Sequence, residues 1–454
     1  MSLQTHARNR NAISEMTSHP DKPGGEAASK RHVMKAPKNR RVFVVGYGTA
    51  TPLGSTFEKT WKRAVKGEAG FRKVTRCNVE SACDVVGEIP DWYPLELDFT
   101  DAKEVYNWNA AFVILTMAVC KEALQNAGIT VDVQIAPRMA CLVGSALNGA
   151  DAFRVAVHDL EHRGPLRVSP YLLPNLCANL PSGKAGMLLK FTGPIFSPQG
   201  ACASGNHAMG IGARMIRDGD CDFVLAGGAD TPILPELIHG FANMNATIKV
   251  NPKDRAYENP LQASRPFSAD RKGFVLSEGA GVVVLAADEA VKAYGLKPKA
   301  EVLGVGWSSD AHHYTSPNMP TIIRAIRETI EDAELEPEDI QYINAHGTST
   351  PKGDSTEIKC LREVFGKKIE KIPVSSNKSQ LGHTLGATAA IEAALTIEGM
   401  RRSVILPTIN HIPDPDFSDI DVVPNEARKQ KYEIALSNAF GFGGTNCCVI
   451  FRGV

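Results

Sequence analysis

From Arg41 onward the chain alternates short, nearly continuous apolar runs with longer amphipathic stretches. Val42-Phe43-Val44-Val45 reads as a buried strand, ended by Gly46-Tyr47-Gly48. Helical spacing covers Ser55 to Lys66 and Trp108 to Ala127. Met139 to Val143 is a further apolar run, closed by Gly144-Ser145. Phe223-Val224-Leu225 predicts a strand before a turn at Gly227-Gly228, and Gly281 to Ala286 another buried strand. A second series begins near Lys299. It predicts strands at Ala300 to Val305, Gln341 to Ala345, Ile434 to Ser437 and Cys447 to Phe451, and helices at Pro320 to Ala333 and Thr388 to Met400. This alternation predicts an α/β fold of layered helices and mostly parallel sheets. Both series place Gly-rich loops directly after strands, where open α/β sheets put their sites. Duplication of one α/β unit is therefore expected, although side-chain similarity between the series is too weak to establish it. The expected division is a tail over 1–40, a first half over 41–297 and a second half over 298–454.

Composition narrows the functional classes. Of 454 residues, 43% are hydrophobic and 22% charged, enough for a sizeable core in two domains or one duplicated unit. The 50 basic and 50 acidic residues cancel, which argues against bulk nucleic-acid or membrane binding and leaves room for a local basic patch. Ten cysteines without a CxxC pair or short metal-ligand spacing read as reduced thiols in a cytoplasmic protein. No apolar run approaches the roughly 20 residues of a membrane helix. The first forty residues are polar and aperiodic and read as a flexible tail. Glu15, Asp21 and Glu26 argue against a transit peptide, and no signal-peptide core is visible.

Gly200-Ala201-Cys202-Ala203-Ser204-Gly205 puts a cysteine among small residues, just before the helical run Asn206 to Arg217. Small neighbours allow a sharp turn and close approach of a substrate. A helix N-terminus favours thiolate over thiol, and a backbone N–H there can face a developing oxyanion. Most cysteines are inert core residues, so the partners decide. His346 lies just past a strand, in Ala345-His346-Gly347-Thr348-Ser349-Thr350. His383 closes Asn377-Lys378-Ser379-Gln380-Leu381-Gly382-His383, with Lys378 five residues before it. A lone histidine is usually a satisfied core or surface residue. Two in strand-end loops, with a cysteine in a third, make a nucleophile constellation.

Taken together, Arg41-Val42-Phe43-Val44-Val45-Gly46, Ala201-Cys202-Ala203-Ser204, Arg265-Pro266-Phe267, Glu278-Gly279-Ala280-Gly281, Ala345 to Thr350, Gly353-Asp354, Lys378-Ser379 and Gly441-Phe442-Gly443-Gly444-Thr445-Asn446 resemble the β-ketoacyl-[acyl-carrier-protein] synthases of the elongating type I/II, closest to type II. The resemblance spans nearly the whole chain. It implies a thiolase-like fold of two related halves in five layers (αβαβα), a homodimer, and no metal or organic cofactor. It implies a decarboxylative condensation between an acyl group on Cys202 and a malonyl group on acyl-carrier protein. His346 and His383 match the histidine pair of that reaction, Lys378 the lysine before the second histidine, and Glu357 the acid that holds this lysine. Phe440 matches a gating phenylalanine whose N–H joins that of Cys202 in the oxyanion hole, with Gly441, Phe442 and Gly443 in the same loop. Asp310 matches a second gating loop, Thr348 and Thr350 the contacts of the pantetheine arm, and Leu147 a residue of the acyl pocket. Arg167 and Lys249 are expected to meet the acidic carrier.

Some positions depart from the family pattern. Gly200 stands where many members have threonine, which predicts changed packing beneath the nucleophile. His207 reads as a helix residue rather than a further catalyst. Leu166 replaces a common basic neighbour of Arg167, which points to a weaker or different carrier contact. Alternative readings are a ketosynthase of a specialised polyketide or unusual-lipid pathway, and a non-catalytic partner subunit of a heterodimer. Such subunits lack the nucleophile, so Cys202 with both histidines argues against the second. A biosynthetic thiolase would need a second cysteine near its C-terminal loop, and Cys447 and Cys448 fall inside an expected strand.

Overall fold

Ten strands form one hydrogen-bonded system within residues 40–79, 83–90 and 109–454, the part of the chain that the computed structural model describes. They are β1 Val42–Ala50, β2 Met139–Gly144, β3 Ile195–Phe196, β4 Phe223–Asp230, β5 Gly279–Ala287, β6 Ala300–Ser309, β7 Tyr342–Asn344, β8 Val374–Ser375, β9 Ile434–Gly441 and β10 Thr445–Gly453. Their spatial order is β8-β7-β9-β10-β6-β1-β5-β4-β2-β3. Reading outward from the middle, the first five strands run β1-β5-β4-β2-β3 and the last five β6-β10-β9-β7-β8. Each strand of one set has its counterpart five places later in the other.

Strand directions repeat as well. The β1/β5 and β5/β4 pairs are antiparallel, and β4/β2 and β2/β3 are parallel. The β6/β10 and β10/β9 pairs are antiparallel, and β9/β7 and β7/β8 are parallel. The sheets are therefore mixed, which corrects the expectation of mostly parallel strands. The tight Phe442-Gly443-Gly444 connection from β9 to β10 can join only antiparallel neighbours. The two sets meet at β1 and β6 through Phe43↔Glu301 and Val44↔Ala300 alone.

The helices include α1 Phe57–Val65, α2 Ala111–Ala127, α3 Ala150–Arg163, α4 Ser204–Asp218, α5 Pro235–Asn243, α6 Met319–Asp332, α7 Pro351–Phe365 and α8 Thr388–Arg402. Helices α4 and α8 each touch strands of both sets, so they form the middle layer. Helix α2 covers β1 and β5, and α6 covers β6 and β10, as outer layers. This is the expected αβαβα arrangement. Packed between the two strand sets, α8 is buried from Thr388 through Met400.

Several glycines serve a different purpose from the one expected. Gly46 and Gly48 lie inside β1 rather than ending it. A Cβ at Gly46 would sit 2.5 Å from the Ala123 carbonyl oxygen, and one at Gly48 2.3 Å from that of Val119, so α2 packs directly on strand backbone. Gly227-Gly228 likewise lie within β4 instead of forming a turn. The helix expected from Trp108 begins at Ala111, and Trp108 itself lies outside the described residues. The tail expected before Arg41 also lies outside them, apart from Arg40.

Candidate active site

Cys202 sits in a 3-10 turn, Ala201–Ala203, at the head of the central helix α4. Ala201 adopts φ +48°, a left-handed conformation that a non-glycine residue takes only under constraint. The constraint comes from the opposite half. The Thr445 hydroxyl donates to the Gly200 carbonyl at 2.7 Å, and β9 ends against the turn so closely that a Cβ at Gly441 would lie 2.5 Å from the Gly200 oxygen. The first half thus supplies the nucleophile and the second half clamps it.

His383 Nε2 lies 3.1 Å from Cys202 Sγ. Its Nδ1 lies 3.1 Å from Thr388 Oγ1, which is 3.0 Å from Thr384 Oγ1. The backbone of His383 is fixed on both sides, its N–H donating to Val275 and its carbonyl accepting from Ser277. The Phe274 ring meets the imidazole edge-on at 5.2 Å. His346 follows β7, and its ring stands nearly perpendicular to that of His383, with centroids 5.6 Å apart. Burial pushes both imidazoles well below their ordinary pKa, and the Lys378 cation pushes the same way. Both rings are neutral at neutral pH.

Lys378 is buried, and its Nζ is held by both oxygens of Glu392 on α8, at 2.8 and 3.0 Å. This corrects the expectation for Glu357. The Glu357 carboxylate instead accepts the N–H groups of His346 at 2.8 Å and Gly347 at 2.7 Å, with Asn438 Nδ2 at 3.1 Å. It orients the His346 loop and leaves the lysine to Glu392. No motif points to Glu392, yet a carboxylate inside the apolar run Thr388 to Met400 is itself a signal. A charge that falls on a fully buried helix needs an internal partner.

Burial pushes the Cys202 thiol up to about 11, against the pull of the Phe442 N–H, the Lys378 charge and its own N–H. Burial thus opposes the helix-end effect expected to favour the thiolate, and His383 is placed to take the proton of the thiol. The N–H expected beside that of Cys202 is corrected too. The N–H that joins Cys202 at the sulfur is that of Phe442, whereas Phe440 is still in the β9–β10 ladder opposite Asn446. The Phe440 ring packs against His346 at 5.5 Å.

A cavity of about 510 Å3 joins Cys202, His346, His383, Thr348, Thr350 and Leu147. Thr348 and Thr350 pair through their hydroxyls at 2.9 Å, and Thr350 also caps α7. Asp310 and the Gly441 to Gly444 loop face each other across the cavity wall. The Asp310 N–H donates to the Gly444 carbonyl at 2.9 Å, its carboxylate accepts from Asn446 Nδ2 at 2.7 Å, and the Gly443 N–H donates to the Tyr314 carbonyl at 2.7 Å. Lys249 is exposed and bonded to Asn245, which lines the cavity, while Arg167 is exposed and does not line it. Among the described residues, no cluster of three His, Cys, Asp or Glu side chains offers a metal site.

Gly200 has a clear steric reason. A Cβ there would lie 2.5 Å from His207 Nδ1. His207 is turned under the nucleophile, bonded to the Ala203 carbonyl at 3.0 Å and stacked on Trp307. It fills the space that a larger residue at 200 would use.

Comparisons with known proteins agree with this geometry. The family described as beta-ketoacyl synthase matches through its N-terminal domain at residues 39–290 and its C-terminal domain at residues 299–411. The chain is 36% identical to a 3-oxoacyl-[acyl-carrier-protein] synthase 2 of Staphylococcus aureus (strain COL), over 91% of this chain and 99% of that one. It is 35% identical to the protein of the same name from Coxiella burnetii, over 92% and 99%. Among solved structures, a beta-ketoacyl synthase from Burkholderia phymatum superposes with TM-score 0.83 at 32% identity, covering 91% of this chain and all of that one. A type II polyketide ketosynthase in complex with its acyl-carrier protein superposes with TM-score 0.82 at 26% identity, covering 92% and all of it.

Proposed function

Because the chain belongs to the beta-ketoacyl synthase family, we propose that it is a 3-oxoacyl-[acyl-carrier-protein] synthase that elongates an acyl chain by two carbons. The observation that carries this reading is the 3.1 Å contact between Cys202 Sγ and His383 Nε2, beside the second neutral imidazole of His346. In the first half-reaction the thiol proton passes to His383 as the sulfur attacks the acyl thioester. The tetrahedral oxyanion takes the N–H groups of Cys202 and Phe442, each such donor typically worth roughly 3–4 kcal/mol of barrier. In the second, the malonyl thioester loses carbon dioxide and its enolate oxygen accepts N–H bonds from the two histidines. The carbanion then attacks the Cys202 thioester, and the sulfur leaves. Neutral rings suit this task, since each has one proton to place. Lys378, anchored by Glu392, disfavours their protonation. In this reading Thr348 and Thr350 hold the pantetheine arm, Leu147 meets the acyl chain, and the Asp310 and Phe440 to Gly443 loops gate it.

The partner is an acyl-carrier protein, with Lys249 beside the cavity mouth as the nearer of the two docking candidates. The chain works as a homodimer in the cytoplasm. Support for the dimer comes from the apolar side chains exposed on and around α3, among them Phe153, Leu160, Leu166 and Leu173, and from β3, an end strand among the described residues, with Phe196 exposed. A specialised polyketide role is the second reading, favoured by the polyketide ketosynthase among the structural neighbours. Incubation with acyl-[acyl-carrier-protein] is expected to add one acyl mass per chain at Cys202. Absence of any acyl mass across chain lengths would sink the proposal. The acyl length that turns over fastest separates the two pathways.

A further inference from the structure

In the synthase reaction His383 has two opposite tasks, and the part played by its neighbours rests on that reading. In acyl transfer its Nε2 must accept the Cys202 proton. In condensation the same atom must donate a proton to the enolate oxygen. A neutral imidazole carries one N–H, so Nδ1 must hold it in the first case and be bare in the second. The group facing Nδ1 decides whether both states are allowed. A carboxylate or carbonyl would hold the ring as Nδ1–H, and a backbone N–H would hold it bare. Here the group is the Thr388 hydroxyl at 3.1 Å, backed by the Thr384 hydroxyl at 3.0 Å, both buried. A hydroxyl accepts in one rotamer and donates in another, so this pair can run in either direction.

His346 shows the contrasting case. Its Nδ1 is buried and has no hydrogen-bond partner among the described residues. A proton there would be an orphaned donor, which costs more than a bare lone pair, so His346 keeps its proton on Nε2 and can only donate. The first half of the molecule shows that the Thr388 arrangement does not arise from the turn itself. Ser204 opens α4 as Thr388 opens α8, yet its hydroxyl is used on its own turn, donating to the Ala201 carbonyl at 2.7 Å and accepting the Gly200 N–H at 3.0 Å.

We propose that Thr388, backed by Thr384, is a positioning residue that lets His383 exchange tautomers between the two half-reactions, while His346 remains a fixed donor. The protons balance. As the bond from Sγ to the acyl carbon forms and the carrier's sulfur–carbon bond breaks, the Cys202 proton passes to Nε2 and on to the departing carrier sulfur. His383 ends that step with its proton still on Nδ1. Before condensation one proton reaches Nε2 from water and one leaves Nδ1 to water, with no net change of charge, and the Thr388 hydroxyl turns from accepting the Nδ1 proton to donating its own to the bare nitrogen.

The test compares Thr388→Ser with Thr388→Ala, two variants that lack the same methyl and differ only in the hydroxyl. Two single-turnover rates are read on the full-length protein: acylation of Cys202 by acyl-[acyl-carrier-protein], and decarboxylation of malonyl-[acyl-carrier-protein] in a Cys202→Gln background. Alanine makes His383 resemble His346, a donor only. Thr388→Ala is therefore expected to acylate about 10- to 100-fold more slowly than Thr388→Ser while decarboxylating within about 3-fold of it. Equal acylation rates for the two, or equal losses in both half-reactions, overturn the proposal. Thr384→Val, which removes the second hydroxyl, should show the same split at smaller size, and it supplies the reading should Thr388→Ala not fold. Unmodified protein that fails to acylate at all would overturn the synthase reading instead, so the two failures are distinguishable.

Discussion

Ala201 and Leu385 both adopt positive φ, +48° and +51°. Each opens a three-residue 3-10 turn, Ala201–Ala203 or Leu385–Ala387, and each turn leads into a 15-residue helix of the middle layer. The strands beside these helices correspond as well, so Cys202 and Gly386 occupy equivalent places. Their N–H groups do not share a fate. That of Gly386 is taken by the buried Asp230 carboxylate at 2.8 Å, which also accepts the N–H groups of Ala146 and Leu147 and the Ser145 hydroxyl. Asp230 is the last residue of β4, and its counterpart at the end of β9 is Gly441, which has no side chain to offer. One turn is thus filled by an internal anion. In the other the N–H groups of Cys202 and Phe442 stay with the thiol, facing a cavity. The same backbone is a structural joint in one half and, in the reaction proposed above, an oxyanion site in the other, and the side chain at one strand end decides which.

The sharpest test of this difference is the same substitution at both places. Cys202→Ala is expected to abolish acylation, read by intact mass, with a melting temperature within about 2 °C of the original. Gly386→Ala is expected to act on stability, because its Cβ would meet the Asp230 carboxylate at 2.8 Å and the Ala146 nitrogen at 3.0 Å. A loss of about 1–3 kcal/mol in urea denaturation is anticipated. An unaltered Gly386→Ala protein would mean that the second turn is not packed as a closed joint.

Asp230→Asn probes the plug itself. An amide nitrogen would then face N–H donors, at a cost of about 2–4 kcal/mol. The sign with pH is opposite to that of a salt-bridged acid. Burial pushes the Asp230 carboxyl from its ordinary 3.8 up to about 6, so the folded state binds its proton more tightly than the unfolded state. That contribution is fully present below about pH 4 and is lost as pH rises through 6. The stability gap between the original and Asp230→Asn should therefore narrow between pH 5 and pH 7, and a widening gap would refute this account.

What could be read from the sequence depends on what local pattern encodes. The strand–helix alternation and the three loops carrying Cys202, His346 and His383 are local, and the family motifs fix their order. Duplication is not legible in side chains, because the two halves share strand order and direction rather than residues. The partner of Lys378 is not legible either. Glu357 and Glu392 lie on different helices, α7 and α8, and only the packing brings Glu392 to the ammonium. The misplacement of the second N–H at the sulfur has a similar cause. Phe440 and Phe442 are both aromatic residues beside Gly441, and the end of the β9 ladder decides which N–H is free to face the sulfur.

The two turns differ again beneath their first residues, where Thr384 in one corresponds to Gly200 in the other. Gly200 adopts φ −126°, which any residue tolerates, so a methyl there has no backbone cost. Its cost would be steric, against His207 Nδ1 at 2.5 Å. Gly200→Ala should destabilise the protein when His207 is present and far less when it is replaced by alanine. A double-mutant cycle in urea should give a coupling of about 1–2 kcal/mol. Additive effects would show that the space under the nucleophile is not shared by these two residues.

The smallest expected effect concerns the thiol itself. A helix N-terminus and two facing N–H groups are the usual recipe for a low cysteine pKa, yet burial wins here and holds Cys202 near 11. The alkylation rate of Cys202 by iodoacetamide, read by peptide mass with exposed Cys177 as a reference for the reagent, should still be rising at pH 9–10. An ordinary thiol would level off above about 8.5. A plateau below pH 8 would mean that sulfur and His383 rest as thiolate and imidazolium. The acylation step would then begin from an ion pair, and the hydroxyl at Thr388 would have to accept from a ring carrying both protons rather than choose between two neutral ones.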